Sequence, residues 1–98
     1  MRRDEVIEKL RNQESMLRAR GVDSLYLFGS HARDQAKPSS DIDLFIDRSP
    51  GARLSLVGLI GIELDLADLL AAKVDLGTRI GLHPSIRVDV ERAAIKVF

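Results

Sequence analysis

Residues 28–47 read FGSHARDQAKPSSDIDLFID, and two short motifs in this stretch decide the fold. Gly29-Ser30 ends one apolar run, and Asp41-Ile42-Asp43 opens a second run after ten intervening residues. Side chains two apart in a strand point to the same face, so Asp41 and Asp43 are predicted to project together. Adjacent carboxylates repel each other unless a cation lies between them, and oxygen ligands suit Mg²⁺ or Mn²⁺. The stretch therefore predicts a divalent metal site on a strand.

The turn at Gly29-Ser30 predicts a phosphate site beside that metal. A helix that begins at such a turn leaves free backbone N–H groups at its start, where anions bind. Neither motif is specific alone, because a Gly-Ser pair is usually only a turn and a lone Asp-x-Asp is more often a solvated face. In this order and in these contexts, the two motifs favour a site for a metal and a nucleotide.

The composition narrows the class of protein. Fifteen basic residues balance fifteen acidic ones in 98 residues, which argues against nucleic-acid binding by bulk electrostatics. No cysteine is present, so disulfides and thiolate metal sites are excluded. The N-terminus is charged throughout and no apolar run is long enough to span a bilayer. We therefore expect a cytoplasmic protein with no membrane partner, in which residues 1–98 form a single domain.

Periodicity and turn residues predict four helices and four strands. The helices are predicted over 4–20, 30–35, 54–72 and 84–92, and the strands over 22–28, 41–46, 73–77 and 93–98. Alternating apolar residues leave a strand open over 84–92, and Asp4 is placed to cap the first helix. These elements predict an α/β fold of the two-layer α+β kind. A small mixed sheet would carry helices packed on one face and the site on the other.

The helix over 54–72 has more apolar surface than one small domain can bury. Its apolar stripe comprises Leu54, Val57, Ile60, Leu64 and Ala67. A strand-like alternation runs over 62–66, but the length of the segment decides for a helix. Because its apolar residues surround most of the helix, we predict that one side contacts another protein chain.

The central stretch also carries a resemblance to a known family. Gly29-Ser30, ten residues and then Asp41-x-Asp43 resembles the signature of the polymerase-β-like nucleotidyltransferase superfamily. The flanking residues Leu27-Phe28, Ala32-Arg33, Ser40 and Leu44 narrow the resemblance to the minimal nucleotidyltransferases. These small prokaryotic proteins are usually partnered with a HEPN-domain protein in toxin–antitoxin pairs. The resemblance covers essentially the whole chain.

The resemblance implies three catalytic acids that also bind the metal. Asp41 and Asp43 would hold the ion that carries the triphosphate, and Asp43 would reach a second ion. Asp75, which lies between Val74 and Leu76 on the strand after the long helix, matches the third acid. It would bind the second metal and help to take the acceptor proton. Two Mg²⁺ ions are expected, with Mn²⁺ as an alternative.

Four further residues are expected to contact the nucleotide. Gly29 would let the triphosphate approach the backbone, and Ser30 would donate its hydroxyl and N–H. Arg33 would pair with phosphate oxygens or remain a surface residue, and Ser40 would cap its loop or touch the nucleotide.

Two positions depart from the family pattern and two histidines fall outside it. Asp34 stands where glycine is usual, which puts the turn and the aim of Arg33 in question. Gly77 stands where an apolar residue is usual, which is expected to loosen the strand of Asp75. His31 and His83 have no partner at metal-ligand spacing, so neither is expected to bind a metal.

The resemblance implies a Mg²⁺-dependent nucleotidyltransferase that places AMP from ATP on a tyrosine of a HEPN partner. The protein would then be the antitoxin of the pair, bound to its partner through the helix over 54–72 or assembled as a homo-oligomer. The alternative is a binding module that neutralises its partner by occlusion. A transferase for a small molecule is disfavoured, since no second domain is predicted to enclose such a substrate.

Overall fold

Helices and strands alternate along the chain in the computed structural model, which describes all residues from 1 to 98. The elements in order are α1 (Arg3–Arg11), α2 (Glu14–Ala19), β1 (Val22–Phe28), α3 (Gly29–Ala32), β2 (Ile42–Arg48), α4 (Leu56–Leu70), β3 (Val74–Thr78), α5 (Pro84–Ala93) and β4 (Ile95–Lys96). The predicted α/β class is confirmed. Residues 84–92, for which the sequence allowed either a helix or a strand, form a helix with its proline in the first turn.

The four strands form one mixed sheet in the order β3-β2-β1-β4. β1 is antiparallel to both β2 and β4, whereas β2 and β3 are parallel. The parallel pair is joined through α4, as a parallel connection requires a crossover. β3 and β4 are therefore the two edges of the sheet.

One face of the sheet packs against α1, α2 and α4 to form the core. The buried side chains that the strands contribute are Val22, Leu25, Leu27, Ile42, Leu44, Ile46, Val74 and Leu76. The helices contribute Val6, Leu10, Leu17, Leu59, Ile62, Leu66 and Leu70. α4 also protects the edge of the sheet, because Glu63 Oε2 accepts a hydrogen bond from the outward N–H of Leu76 at 2.8 Å.

The opposite face is polar at its ends and aromatic in the middle. Phe45 is completely buried there, and its ring stacks on Tyr26 with 4.7 Å between centroids. The guanidinium of Arg79 lies 4.8 Å from the centre of the Tyr26 ring and 3.5 Å from Glu91 on α5. α5 thus contacts this second face. The helices were predicted to pack on one face only, and α5 departs from that prediction.

The first helix differs from its prediction. The segment 4–20 breaks at Asn12 and Gln13 into α1 and α2, and its residues Leu10 and Leu17 are still buried on one side. Asparagine favours turns over helix interiors, which lowers the cost of the break. The N-cap is Arg2 and has no side-chain cap, so Asp4 lies inside the first turn instead of capping the helix.

α4 carries two apolar stripes, and the predicted stripe is largely the outer one. Leu59, Ile62, Leu66 and Leu70 face the core, whereas Leu56, Val57, Ile60 and Leu64 are exposed. We call these four exposed residues the α4 ridge. None of the helices is both long and apolar enough to cross a membrane.

Candidate active site

Asp43 and Asp75 are direct neighbours on adjacent strands. The parallel register pairs the Cα of Asp43 in β2 with the Cα of Asp75 in β3. Val74 and Leu76 are buried in the core, so Asp75 points to the opposite, polar face, as predicted. Ile42 and Leu44 flank Asp43 in the same way. The fold therefore places two carboxylates side by side on one face.

The electrostatics of Asp43 reflect this crowding. Burial raises the pKa of Asp43, and the negative charges of Asp75 and Asp41 raise it further. The positive charges of His31 and Arg33 act in the opposite direction, but the net shift is upward. A carboxylate with a raised pKa among like charges is a site that a cation would stabilise.

Asp41 lies one residue before β2 and is more exposed than Asp43. Its Oδ2 is 3.7 Å from Nζ of Lys73, in a pair too exposed to contribute much stability. No three acidic or histidine side chains are gathered closely enough to hold one ion. The donor set nevertheless fits a divalent cation, because the three acids offer carboxylate oxygens, and burial together with their mutual repulsion raises the pKa of Asp43. Asp41 would need to turn from Lys73 to join the other two acids.

Gly29 is required where it stands, for two reasons. Its φ of +74° is strained for other residues, and a Cβ built on it would overlap Oδ2 of Asp43 and lie 3.2 Å from Cγ. The turn that ends β1 is therefore in direct contact with Asp43. Ser30 follows in the first turn of α3 and is half-buried.

Arg33 faces the same region as the acids, since its charge lowers the pKa of Asp43. The side chain of Arg33 is exposed. Its Nε donates a hydrogen bond to Oε1 of Gln35, and at 3.3 Å this bond holds the side chain only weakly. A hollow of about 350 Å³ lies between α3 and α5 beside it. The lining residues are Phe28, Gly29, Arg33, Ile86, Asp89, Val90 and Ala93.

The other predicted residues occupy ordinary loop positions. Ser40 Oγ accepts a hydrogen bond from the N–H of Lys37 at 2.9 Å, which is the loop-capping alternative. Asp34 has a φ of +57° and so adopts the conformation that glycine would take in the usual family pattern. Aspartate tolerates this region better than most residues, so the turn is kept and Arg33 stays beside the site.

Two features of the polar face were not predicted. Arg79 donates two hydrogen bonds to Asp47, at 2.9 and 3.0 Å, and the parallel register brings them together four residues beyond the acidic pair. Burial acts to raise the pKa of Asp47, but hydrogen bonds from Arg79 and Ser24 outweigh it and lower the pKa. Asp47 follows Asp43 at the same spacing as Arg79 follows Asp75. This equal spacing of opposite charges on neighbouring strands was the signal in the sequence for the pair.

His31 is the second unpredicted feature. It is 5% exposed, and neither ring nitrogen has a hydrogen-bond partner. It is among the groups that lower the pKa of Asp43, so the ring belongs to the surroundings of the site. The sequence led us to expect no metal binding by this residue, and it contained no sign of its burial.

Comparison with known proteins identifies the family. Residues 4–97 match the family model of the nucleotidyltransferase domain. The chain is 39% identical over 95 residues to a candidate protein adenylyltransferase of Methanocaldococcus jannaschii, with 95% of each chain covered. It superimposes on the structure of a candidate minimal nucleotidyltransferase with a TM-score of 0.82 and 30% identity, covering 97% of this chain and 95% of that one.

A more distant structure shares the fold alone. It contains a tri-AMPylated Shewanella oneidensis HEPN toxin in complex with an MNT antitoxin, and matches with a TM-score of 0.69 and 19% identity. The match covers 98% of this chain and 71% of that one. Both the site geometry and the matched residues therefore lead to one assignment. The chain belongs to the nucleotidyltransferase domain family, in its minimal form, and is a nucleotidyltransferase.

Proposed function

We propose that this protein is a Mg²⁺-dependent adenylyltransferase that moves AMP from ATP to a tyrosine hydroxyl of a HEPN-domain partner. In doing so it would act as the antitoxin of the pair. The observation that carries the proposal is the pairing of Asp43 with Asp75, directly against the Gly29 turn. A metal-binding pair beside a phosphate-binding turn is what nucleotidyl transfer needs.

The transfer itself forms one bond and breaks another. The acceptor oxygen attacks the α-phosphorus of ATP, the bond from that phosphorus to the bridging oxygen breaks, and pyrophosphate leaves. Asp75 would help to accept the proton that the hydroxyl loses. Gly29 and Ser30 offer backbone N–H groups to the triphosphate, and Arg33 offers its guanidinium to the same phosphates.

Asp41, Asp43 and Asp75 are the residues that would hold Mg²⁺, with Mn²⁺ as an alternative and two ions expected. When bound, the metal neutralises the triphosphate and lowers the pKa of the attacking hydroxyl. The chain's own part is to hold Asp43 and Asp75 on one rigid strand pair, with Asp41 one residue before it. Burial and the charges of Asp75 and Asp41 raise the pKa of Asp43, and this supports the assignment because a bound cation would relieve the repulsion between the acids.

The comparisons support ATP as the substrate and a HEPN protein as the partner. The relative that shares 39% identity is named for protein adenylylation, and the more distant complex contains an AMPylated HEPN toxin. The hollow between α3 and α5 has space for a nucleoside beside the phosphate turn. A cytoplasmic location and a single domain over residues 1–98 stay predictions of the sequence.

We further propose that the α4 ridge is the surface that contacts the partner. Val57 is 80% exposed and Leu64 is 61% exposed, although both side chains are large and apolar. A ridge of this kind is unusual on a protein that acts alone. A second copy of the chain is the other occupant that the sequence left open.

A binding module without catalysis remains the second candidate function. The α4 ridge is compatible with it, because an exposed apolar surface suits neutralisation by occlusion as well as recognition of a substrate protein. The acidic pair does not favour it, since a pure binder has no physical need for a partly buried carboxylate beside another acid.

The two functions are separated by a transfer assay. The purified chain, labelled ATP and Mg²⁺ are incubated with a purified HEPN-domain protein from the same organism, with Asp43→Asn as the test variant and Asp68→Asn as the charge control. We expect label to transfer with the wild type and the control but not with Asp43→Asn. If no label transfers while all three chains bind the partner equally well, the protein is a binding module.

A further inference from the structure

Gly77 leaves the polar face of the sheet open between Asp75 and Arg79. It follows the buried Leu76, so alternation directs its missing side chain to the face that carries Asp75. A Cβ built on Gly77 would meet no atom within 4 Å. The strand continues regularly to Thr78, so the glycine does not loosen β3, contrary to the prediction. Its effect is to keep a space clear.

Two charged side chains of the same strand segment stand on either side of this open surface. At one end is the exposed carboxylate of Asp75, and at the other is the guanidinium of Arg79. The two hydrogen bonds to Asp47, the contact with Glu91 and the ring of Phe45, 5.2 Å away, hold Arg79 in place. Its charge is already compensated, so it is a fixed wall and not a free anion-binding group.

The strand order separates this space from the phosphate turn. Gly29 follows β1, on one side of Asp43, whereas Gly77 is in β3, on the other side. In an in-line displacement the acceptor oxygen and the leaving pyrophosphate lie on opposite sides of the phosphorus. With the triphosphate at the β1 side, the acceptor must approach from the β3 side, where the space lies.

We propose that the acceptor side chain lies over Gly77 and that the absence of a side chain at this position sets which acceptors fit. The inference rests on the proposed function and adds to it the location and size of the acceptor site. Same-face positions in a strand are about 7 Å apart, so a side chain seated over Gly77 must reach about that far to bring its oxygen to Asp75. A tyrosine has this reach, whereas serine and threonine do not.

The surroundings also restrict the charge and the path of the acceptor. Asp41, Asp43 and Asp75 make the end of the face that carries Asp75 negative, which disfavours a nucleic-acid end as acceptor. Addition of a peptide strand to the edge of β3 is opposed by Glu63, which already occupies the outward N–H of Leu76. The site therefore selects an uncharged aromatic hydroxyl that enters from above the sheet.

The test enlarges residue 77 and measures transfer and nucleotide binding separately. Gly77→Val and Gly77→Ala are compared with Lys96→Val. This control replaces lysine with valine at an exposed position of the opposite edge strand. Valine suits a strand, so we expect Gly77→Val to keep its Tm and its affinity for ATP with Mg²⁺. We expect its rate of AMP transfer to the HEPN-domain protein to fall by roughly tenfold or more. Gly77→Ala should lose less, and Lys96→Val nothing.

The outcomes distinguish this inference from the function on which it rests. Transfer by Gly77→Val at the wild-type rate would overturn the inference alone, as would AMP found by mass spectrometry on serine or threonine. Loss of ATP binding in Gly77→Ala, which has space for its methyl group, would place residue 77 in the nucleotide site and also overturn it. A wild-type chain that transfers no AMP would overturn both.

Discussion

Asp43 carries an unfavourable charge in the folded chain. Its pKa lies above 3.8, the ordinary value, so the folded state binds a proton more tightly than the unfolded state. The ionised carboxylate therefore destabilises the fold at neutral pH, and this penalty disappears as the pH falls below 3.8. We predict that Asp43→Asn raises the Tm at neutral pH, and that the gain is small because the group is partly solvated and its charge interactions are screened.

Thermal unfolding over a range of pH checks this prediction. The gain should shrink as the pH falls toward 3.8 and should be absent in Asp68→Asn, which removes an exposed charge from α4. Added Mg²⁺ should stabilise the wild type but not Asp43→Asn, because the variant lacks a ligand. A variant less stable than the wild type at neutral pH would mean that Asp43 is structural.

At the scale of single residues, the sequence was informative where spacing alone fixes a direction. The two-residue alternation placed Asp43 and Asp75 on the polar face, and the structure pairs them. The sequence was uninformative where a backbone angle or the path of a loop decides the outcome. The turn at Asp34 is kept because aspartate tolerates a φ of +57°, which a motif written in residue types does not record. The burial of His31 depends on loops whose path no local pattern gives.

At the scale of elements, α4 ends in a strained residue. Ala71 follows Leu70 with a φ of +49°, and its N–H completes the end of the helix by bonding to carbonyls of the last turn. Alanine in this conformation costs about 1 kcal/mol relative to glycine. We predict that Ala71→Gly raises the free energy of unfolding by about 1 kcal/mol, or about 4–8 °C in Tm.

The same substitution inside the helix provides the control. Ala67→Gly should lower the free energy of unfolding by about 1 kcal/mol, since glycine is unfavourable in a helix interior. Denaturant unfolding of the two variants measures both effects with one method. Destabilisation by Ala71→Gly would show that the end of α4 is not strained in solution.

The elements themselves were predictable to the extent that local patterns decide them. β1 has the predicted bounds of 22–28, because an apolar strand between Gly21 and Gly29 has clear ends. The break between α1 and α2 was missed, because both sides of Asn12 continue the same apolar stripe. The apolar residues of α4 were recognised, but not which stripe faces the core. The side of α4 that packs on the sheet beside β3 decides which stripe is buried. That side is set only when the whole sheet is assembled.

At the scale of the whole molecule, the polar face and the α4 ridge are two separate surfaces. α4 packs on the core side of the sheet, behind the acidic pair, so one partner chain that contacts both must extend around the edge strand β3. A single partner molecule could reach both surfaces, or two partner molecules could each contact one. This arrangement makes binding and transfer separable by mutation.

We predict that charge on the α4 ridge weakens the complex without unfolding the chain. Val57→Asp and Leu64→Asp alter side chains that are already largely in solvent, so the Tm of the isolated chain should not change. The Kd for the HEPN-domain protein should rise tenfold or more, which is about 1.4 kcal/mol. Ile80→Asp is the matched control, because Ile80 is 85% exposed and lies outside α4.

Sedimentation of the chain alone tests whether a second copy occupies the α4 ridge. A wild-type dimer that Leu64→Asp dissociates would assign the ridge to a second copy. An unchanged Kd with no such dimer would remove the ridge from the interface, and the polar face would then be the sole contact.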